Sequence, residues 1–130
     1  MSVSGEHAGL IVFAHGSSVE SANEAVRAVA SEVARRGGYP TVEAAFLEGG
    51  RPSLKDAVGA LAARGLSRVV VIPYFLTLGL HLQRDLPRLV AEIQRLHPGF
   101  PIEVTPPLDT HPALIDALID RAKESACEPS

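Results

Sequence analysis

Several residue types that mark other classes of protein are scarce in this chain of 130 residues. Tryptophan is absent, cysteine occurs once (Cys127), and the aromatic residues are four phenylalanines and two tyrosines. One cysteine cannot form an internal disulfide, and residues 1–9 lack the basic and apolar segments of a secretion signal. No apolar run approaches the roughly 20 residues that cross a bilayer. These absences predict a cytoplasmic protein with no membrane anchor.

The charge balance points away from nucleic acids. Lysine and arginine number 12 against 15 acidic residues, which gives a net charge of −3. A nucleic-acid binder needs a basic excess or a basic stripe. With 46% hydrophobic and 21% charged residues the chain has a globular composition. We expect one domain over residues 1–130, with a core at about 9–122 and a frayed tail at 125–130.

Four short apolar runs of strand type alternate with four segments of helical period. The runs occupy residues 10–14, 42–47, 69–72 and 102–104, and the helices are predicted at 19–36, from Pro52 to Gly65, over 86–96 with Pro87 in the first turn, and from Pro112. The β-branched run at 69–72 indicates a strand buried on both faces. The alternation predicts a single-domain, three-layer α/β/α fold with a four-stranded parallel sheet in the order 2-1-3-4, a flavodoxin-like half.

Two histidines follow the first and third predicted strands. In an open α/β sheet, ligands bind beyond the carboxyl ends of the strands, where the strand order reverses, here between these two strands. The loop at 14–18 contains His15, and the loop at 73–81 contains His81. A neutral imidazole binds cobalt, nickel, iron or zinc and takes up a proton near neutral pH. The structural alternatives are backbone hydrogen bonding for His15 and helix capping for His81.

Small residues accompany both histidines. Gly16 and Gly79 allow a tight turn or the close approach of a ligand to the backbone. Ser17 and Ser18 either bond a ligand carboxylate or cap the first helix, and capping is favoured for at least one of them. The sequence contains no G-x-S-x-G elbow, no Walker loop and no G-x-G-x-x-G motif. Nothing therefore indicates hydrolysis or nucleotide binding.

Taken together, the motifs resemble those of the sirohydrochlorin chelatases. They are Phe-Ala-His-Gly-Ser at 13–17, Ala-Phe-Leu-Glu at 45–48, Pro-Ser-Leu at 52–54, Val-Val-Ile-Pro-Tyr-Phe-Leu at 70–76, Gly-x-His-x-x-x-Asp-Leu-Pro at 79–87 and Pro-Leu-x-x-His-Pro at 107–112. The likeness extends in the right order over about residues 9–122.

The resemblance implies the short form of the class II chelatases, which act without ATP. Longer relatives carry two such units, so a single unit implies a homodimer. The family inserts a divalent metal ion into the tetrapyrrole sirohydrochlorin: cobalt on the way to cobalamin, or iron on the way to sirohaem, with nickel in some relatives. By this likeness His15 and His81 bind the metal, and no nucleotide is needed.

Three positions depart from the family pattern. Ser18 stands where the family usually has arginine, Leu78 replaces a proline before Gly79, and Asp109 replaces a glycine. An arginine at position 18 would pair with a substrate carboxylate. This departure therefore bears on the choice of substrate.

Charged residues near the two loops complete the candidate site. Glu48, at the end of the second strand, is a candidate acid/base or ligand-orienting group, or a solvated carboxylate. Sirohydrochlorin carries several carboxylates, so Arg51 and Arg84 are candidate substrate contacts, with Arg88 close by. Each is otherwise a solvated surface charge.

Two other functions remain open from the sequence. One is a non-catalytic carrier of metal or tetrapyrrole that keeps the fold without turnover. The other is a subunit whose cavity needs a different partner chain.

Overall fold

The computed structural model describes residues 8–125, so Cys127 and the predicted tail from residue 126 lie outside the described residues. Its strands and helices are β1 (Ala8–Ala14), α1 (Glu20–Gly37), β2 (Val42–Phe46), α2 (Leu54–Ala63), β3 (Arg68–Pro73), α3 (Leu80–Leu96), β4 (Ile102–Val104) and α4 (Pro112–Glu124), with a short 3₁₀ helix at Leu108–Thr110. All strand pairs are parallel, and the order is β2-β1-β3-β4. The predicted topology is confirmed.

The two faces of the sheet pack against different helices because side chains alternate along each strand. Ile11 and Phe13 of β1 lie in a core shared with α2 and α3. Val12 and Ala14 point the other way and pack with Ala30 of α1. Helices therefore lie on both faces, as the three-layer prediction requires.

The carboxyl ends of three strands meet at one edge of the sheet. Every residue of β1 is buried, and its last residue, Ala14, pairs with Phe46 of β2. On the other side Phe13 pairs with Pro73 of β3. The segments 15–19, 47–53 and 74–79 therefore leave the sheet next to one another.

The start of α2 differs from the prediction. Pro52 was expected in the first turn, but its carbonyl accepts a hydrogen bond from the Phe46 amide at 2.9 Å, which holds it beside the end of β2 and outside the helix. The helix begins at Leu54, and the Ser53 hydroxyl caps it by accepting from the Asp56 amide at 3.1 Å. The capping hydroxyl sets this boundary.

The start of α3 was also predicted too late. The helix begins at Leu80, so Pro87 lies inside it and His81 lies in its first turn, not in the preceding loop. An interior proline removes one backbone hydrogen bond and crowds the carbonyl four residues earlier. Leu82 and Leu86 pack against the core from the early turns, and this burial stabilises the extension.

The second face of β3 is less covered than the sequence predicted. Its residues alternate between buried and half-buried, with Val69 and Val71 buried and Val70 and Ile72 half-buried. The prediction of burial on both faces was therefore wrong. The physical reason is that α1 covers β1 and β2 on that side, while in residues 8–125 no part of α4 is buried.

Within residues 8–125, no helix is long and apolar enough to cross a membrane.

Candidate functional site

His15 and Glu48 form an exposed pair at the carboxyl edge of the sheet. The His15 Nε2 atom lies 3.1 Å from Glu48 Oε2, and the two side chains are 60% and 69% exposed. The Glu48 amide donates to the His15 carbonyl at 3.0 Å, so backbone and side chains are both joined. The alternative of an imidazole satisfied by backbone groups is wrong, because its partner is a carboxylate. An imidazole and a carboxylate at this distance can ligate a metal or exchange a proton.

Two glycines allow the loops that carry this pair to touch backbone to backbone. Gly16 has φ +92°, and a Cβ there would lie 1.7 Å from the Glu48 carbonyl oxygen. Gly49 has φ +72°, and a Cβ there would lie 2.9 Å from the Ser17 carbonyl carbon. The absence of a side chain at Gly16 therefore lets the loop after β1 contact the backbone of the loop after β2, and any side chain there would prevent this contact.

Ser17 organises the turn before α1 but does not cap the helix. Its hydroxyl accepts from the Val19 amide at 3.0 Å. The N-cap residue of α1 is Val19 itself, and no side chain caps the helix there in the described structure. Ser18 is exposed. The expected capping by Ser17 or Ser18 is wrong, because the side chain of Asn23 already holds this turn from inside the helix.

Asn23 is a site residue that the sequence analysis missed. It is 1% exposed, and its amide group bonds the backbone of Ser17 and of Gly49. The signal was in the helical period, because Asn23 falls on the same stripe of α1 as Val26 and Ala30. A polar residue on the buried stripe of a helix needs a hydrogen-bonding partner, and here the partners are the site loops.

His81 lies in the first turn of α3, just after the loop that follows the neighbouring strand. It is exposed, and the N-cap of α3 is Gly79, so the alternative that His81 caps the helix is wrong. Gly79 has an ordinary φ of −66°, with open space where a Cβ would stand. Arg84 and Arg88 follow three and seven residues later, which places them on the His81 face of the helix.

The remaining predicted residues lie around this edge without forming one cluster. Arg51 is exposed, and its backbone carbonyl accepts from the Arg27 guanidinium at 3.0 Å. An open cleft of about 710 Å³ beside Glu48 and Arg51 also includes Ser53 and Asp56 in its lining. Neither His15 nor His81 lines this cleft. Among residues 8–125, no three side chains of histidine, cysteine or acidic type converge as a preformed metal cage.

Phe75 was also missed as a neighbour of the site. Its ring meets the His15 ring edge-on at a centroid distance of 6.4 Å and the Phe13 ring at 6.0 Å. The buried Phe13 ring thus supports Phe75, which in turn limits the orientations of the His15 imidazole. Only the pairing of β1 with β3 brings residues this far apart in sequence together.

The comparisons with known proteins agree with this architecture. The family model described as CbiX matches residues 9–125. A relative named sirohydrochlorin ferrochelatase, chloroplastic, from Arabidopsis thaliana is 36% identical over 117 residues, which are 90% of this chain and 52% of that protein. A sirohydrochlorin cobaltochelatase of Methanopyrus kandleri is 28% identical and matches 92% of this chain and 97% of its own length. The chain thus spans about half the length of the plant relative and nearly all of the archaeal one.

Solved structures share the fold. A crystal structure described as that of a CbiX protein of cobalamin (vitamin B12) biosynthesis from Marinobacter aquaeolei has a TM-score of 0.82 at 28% identity and matches 92% of this chain and 97% of its own. The sirohydrochlorin chelatase SirB of Bacillus subtilis, solved with cobalt, has a TM-score of 0.82 at 23% identity and is matched over 50% of its length. The match of the family model over residues 9–125, together with the shared sheet order, assigns this chain to the CbiX family.

Proposed function

We propose that this chain inserts a divalent metal ion, cobalt in the first place and iron or nickel as alternatives, into sirohydrochlorin without using a nucleotide. Membership of the CbiX family and relatives named as cobaltochelatase and ferrochelatase support the reaction. The observation that carries it in this chain is the exposed His15–Glu48 pair, 3.1 Å apart, at the carboxyl edge of the sheet. Cytoplasmic location remains part of the proposal, and the single cysteine is consistent with it.

The reaction exchanges two pyrrole N–H protons of the macrocycle for one divalent cation. The protein must strip water from the metal, hold it at the macrocycle face and accept the protons. We assign metal binding to His15, in the loop after β1, and to His81, in the first turn of the helix that follows the adjacent strand β3. Glu48, in contact with the His15 imidazole, orients this ring or accepts a proton. The metal is a substrate in this scheme.

Cationic side chains suit the carboxylates of the tetrapyrrole. Arg84 and Arg88 share a face of α3 with His81, so a macrocycle held at His81 would lie within reach of both guanidinium groups. Arg51 follows Glu48 on the other side of the edge. In this proposal the three arginines pair with the substrate carboxylates, the role that the family resemblance implies for an arginine at position 18. Ser17, Ser18, Gly16 and Gly79 leave room for the substrate beside the backbone.

The assay is metal insertion followed by the absorbance of the metallated product, with cobalt, iron and nickel in parallel. We expect wild type to exceed the spontaneous rate, and His15→Ala and His81→Ala to lose at least about tenfold in kcat. The matched control is His97→Asn, which removes an imidazole at the far end of α3, roughly 24 Å from His81 along the helix. A wild-type rate equal to the protein-free rate with every metal would favour the carrier function instead.

We further propose that the active form is a homodimer that buries an apolar stripe of α4. Ile115, Leu118 and Ile119 are 58%, 62% and 46% exposed, and they lie on one side of the helix with Leu114. Exposed aliphatic stripes of this kind mark protein interfaces. A second copy is the preferred occupant because the plant relative is about twice as long as this chain.

Sedimentation of the wild type and of two variants tests the dimer. We expect the wild type to sediment as a dimer of the 13.7 kDa chain and Leu118→Asp as a monomer. Ala113→Asp adds the same charge on the opposite side of α4 and should stay dimeric. A monomeric, active wild type would refute the dimer, and activity that appears only after adding a cell extract would indicate a different partner chain.

A further inference from the structure

Asn23 is a buried polar residue with hydrogen bonds to both loops of the candidate site. Its Oδ1 accepts from the Ser17 amide at 3.0 Å, and its Nδ2 donates to the Ser17 carbonyl at 2.9 Å and to the Gly49 carbonyl at 3.1 Å. Nδ2 also lies 3.2 Å from Glu20 Oε1. One side chain thus joins the segment that follows His15 to the segment that follows Glu48.

Space around Asn23 is closed on the side of the second loop. A Cβ at Gly50 would lie 2.9 Å from Asn23 Nδ2, so this loop passes directly over the amide group. One turn further along α1, the Arg27 guanidinium bonds the Arg51 carbonyl at 3.0 Å and lies 5.3 Å from the centroid of the Phe46 ring. Helix α1 therefore holds the 48–51 segment at two successive points.

Core packing alone does not account for asparagine at this position. A buried amide is costly unless its polar atoms are bonded, and an aliphatic residue would fill the stripe of α1 without that requirement. Asn23 bonds backbone groups of Ser17 and Gly49. Ser17 lies two residues after His15, and Gly49 directly follows Glu48. The hydrogen bonds of Asn23 therefore act on the distance between these two loops.

We propose that Asn23 is a positioning residue that sets the His15 imidazole and the Glu48 carboxylate at their working separation. It does not touch the substrate and acts only through the two loops. The kinetic test of this role rests on the proposed metal insertion. A second test, by hydrogen exchange, depends only on the geometry of the two loops and is independent of activity.

Two substitutions separate the bonds of Asn23. Asn23→Ala removes all of them, whereas Asn23→Asp keeps the acceptor for the Ser17 amide and loses the donors to the two carbonyls. The control is Val58→Ala, a truncation of a fully buried residue of α2 that lowers stability through the core on the other face of the sheet from α1. All variants are assayed well below their melting temperatures, so that each is folded.

The first readout is amide hydrogen exchange at Glu48, whose amide donates to the His15 carbonyl, compared with Val71 in β3. We expect Asn23→Ala to speed exchange at Glu48 about tenfold more than at Val71, a selective local opening that Val58→Ala does not produce. Equal acceleration at both amides in Asn23→Ala would overturn the proposal whether or not the protein is a chelatase.

The second readout is the division of the kinetic effect between kcat and KM. We expect kcat of Asn23→Ala to fall on the order of tenfold or more, with KM for the tetrapyrrole within about threefold, because misplaced groups slow the step after binding. Asn23→Asp should lose at least as much kcat as Asn23→Ala, because its second carboxylate oxygen would face the Ser17 and Gly49 carbonyls without a hydrogen to donate. If Val58→Ala and Asn23→Ala lower kcat equally when each is assayed at the same interval below its own melting temperature, the role of Asn23 is structural only. A wild type without activity would refute the proposed function and leave the exchange result as the test of positioning.

Discussion

Replacing Gly16 by alanine tests whether the loop contact at the site is steric. The substituted residue would have to adopt φ +92°, and its Cβ would lie 1.7 Å from the Glu48 carbonyl oxygen. The left-handed region costs a residue with a side chain about 1–2 kcal/mol. Because a carbon–oxygen contact needs about 3.3 Å, the two loops must also separate by roughly 1.5 Å.

That separation breaks the hydrogen bond from the Glu48 amide to the His15 carbonyl, now 3.0 Å long. Its loss adds about 1 kcal/mol, so the total for Gly16→Ala is about 2–3 kcal/mol. For a chain of this size 1 kcal/mol corresponds to about 4 °C in Tm. We therefore expect a fall of about 8–12 °C, together with loss of metal insertion because His15 and Glu48 move apart.

Gly38→Ala is the matched control. Gly38 also has a positive φ, +73°, but no atom lies within 4 Å of the position where its Cβ would stand. In Gly38→Ala only the conformational cost applies, so Tm should fall by about 4–8 °C and the variant should keep its activity at about 25 °C. Thermal unfolding followed by circular dichroism measures both. If the two variants melt within about 1 °C of each other, the backbone contact between the loops is not what Gly16 provides.

Three other predictions concern packing, capping and charge. Leu61→Ala truncates a side chain that is 1% exposed, and urea unfolding should show a loss of about 2–5 kcal/mol; a loss below that range would contradict its core position. Ser53→Ala removes the cap of α2 and should cost about 1 kcal/mol by the same measurement, whereas Ser53→Asp should restore most of it. Hydrogen bonds from Arg27, and then from Asn23, lower the pKa of Glu20 below its usual value of 4.5. The hydrogen bonds to the ionised Glu20 therefore stabilise the wild type above pH 4.5, and this stabilisation is lost as the pH falls through the lowered pKa. Glu20→Gln should flatten this acid limb in a plot of the free energy of unfolding against pH. An unchanged acid limb would refute the role of the Glu20–Arg27 pair.

The placement of His15 followed from sequence because it depends on local pattern. Buried strands are recognisable as apolar runs, and a histidine that directly follows such a run lies at the carboxyl edge of the sheet. Helix boundaries were less predictable. Pro87 was placed in the first turn of α3, but burial of Leu82 and Leu86 outweighs the lost hydrogen bond and the crowding that an interior proline causes.

The site contacts depend on residues that are distant along the chain. The approach of Gly16 to the Glu48 carbonyl and the hydrogen bond of Asn23 to Gly49 exist only because β1 and β2 pair in one register. A helical period shows that Asn23 lies on a buried stripe, but it does not identify the groups across from it. The same holds for α4. Its apolar period predicts that one side of the helix packs against another surface, but it does not identify that surface.

The amino-acid sequence by itself determined the α/β class, the strand order and the edge of the sheet where the candidate residues gather, because hydrophobic periodicity and the handedness of parallel connections act locally. Tertiary structure decided which side chains touch there: His15 with Glu48, Asn23 with both loops, and Phe75 against the imidazole. These contacts arise from close packing between segments brought together by the sheet, and such packing is set by three-dimensional fit and not by pattern along the chain.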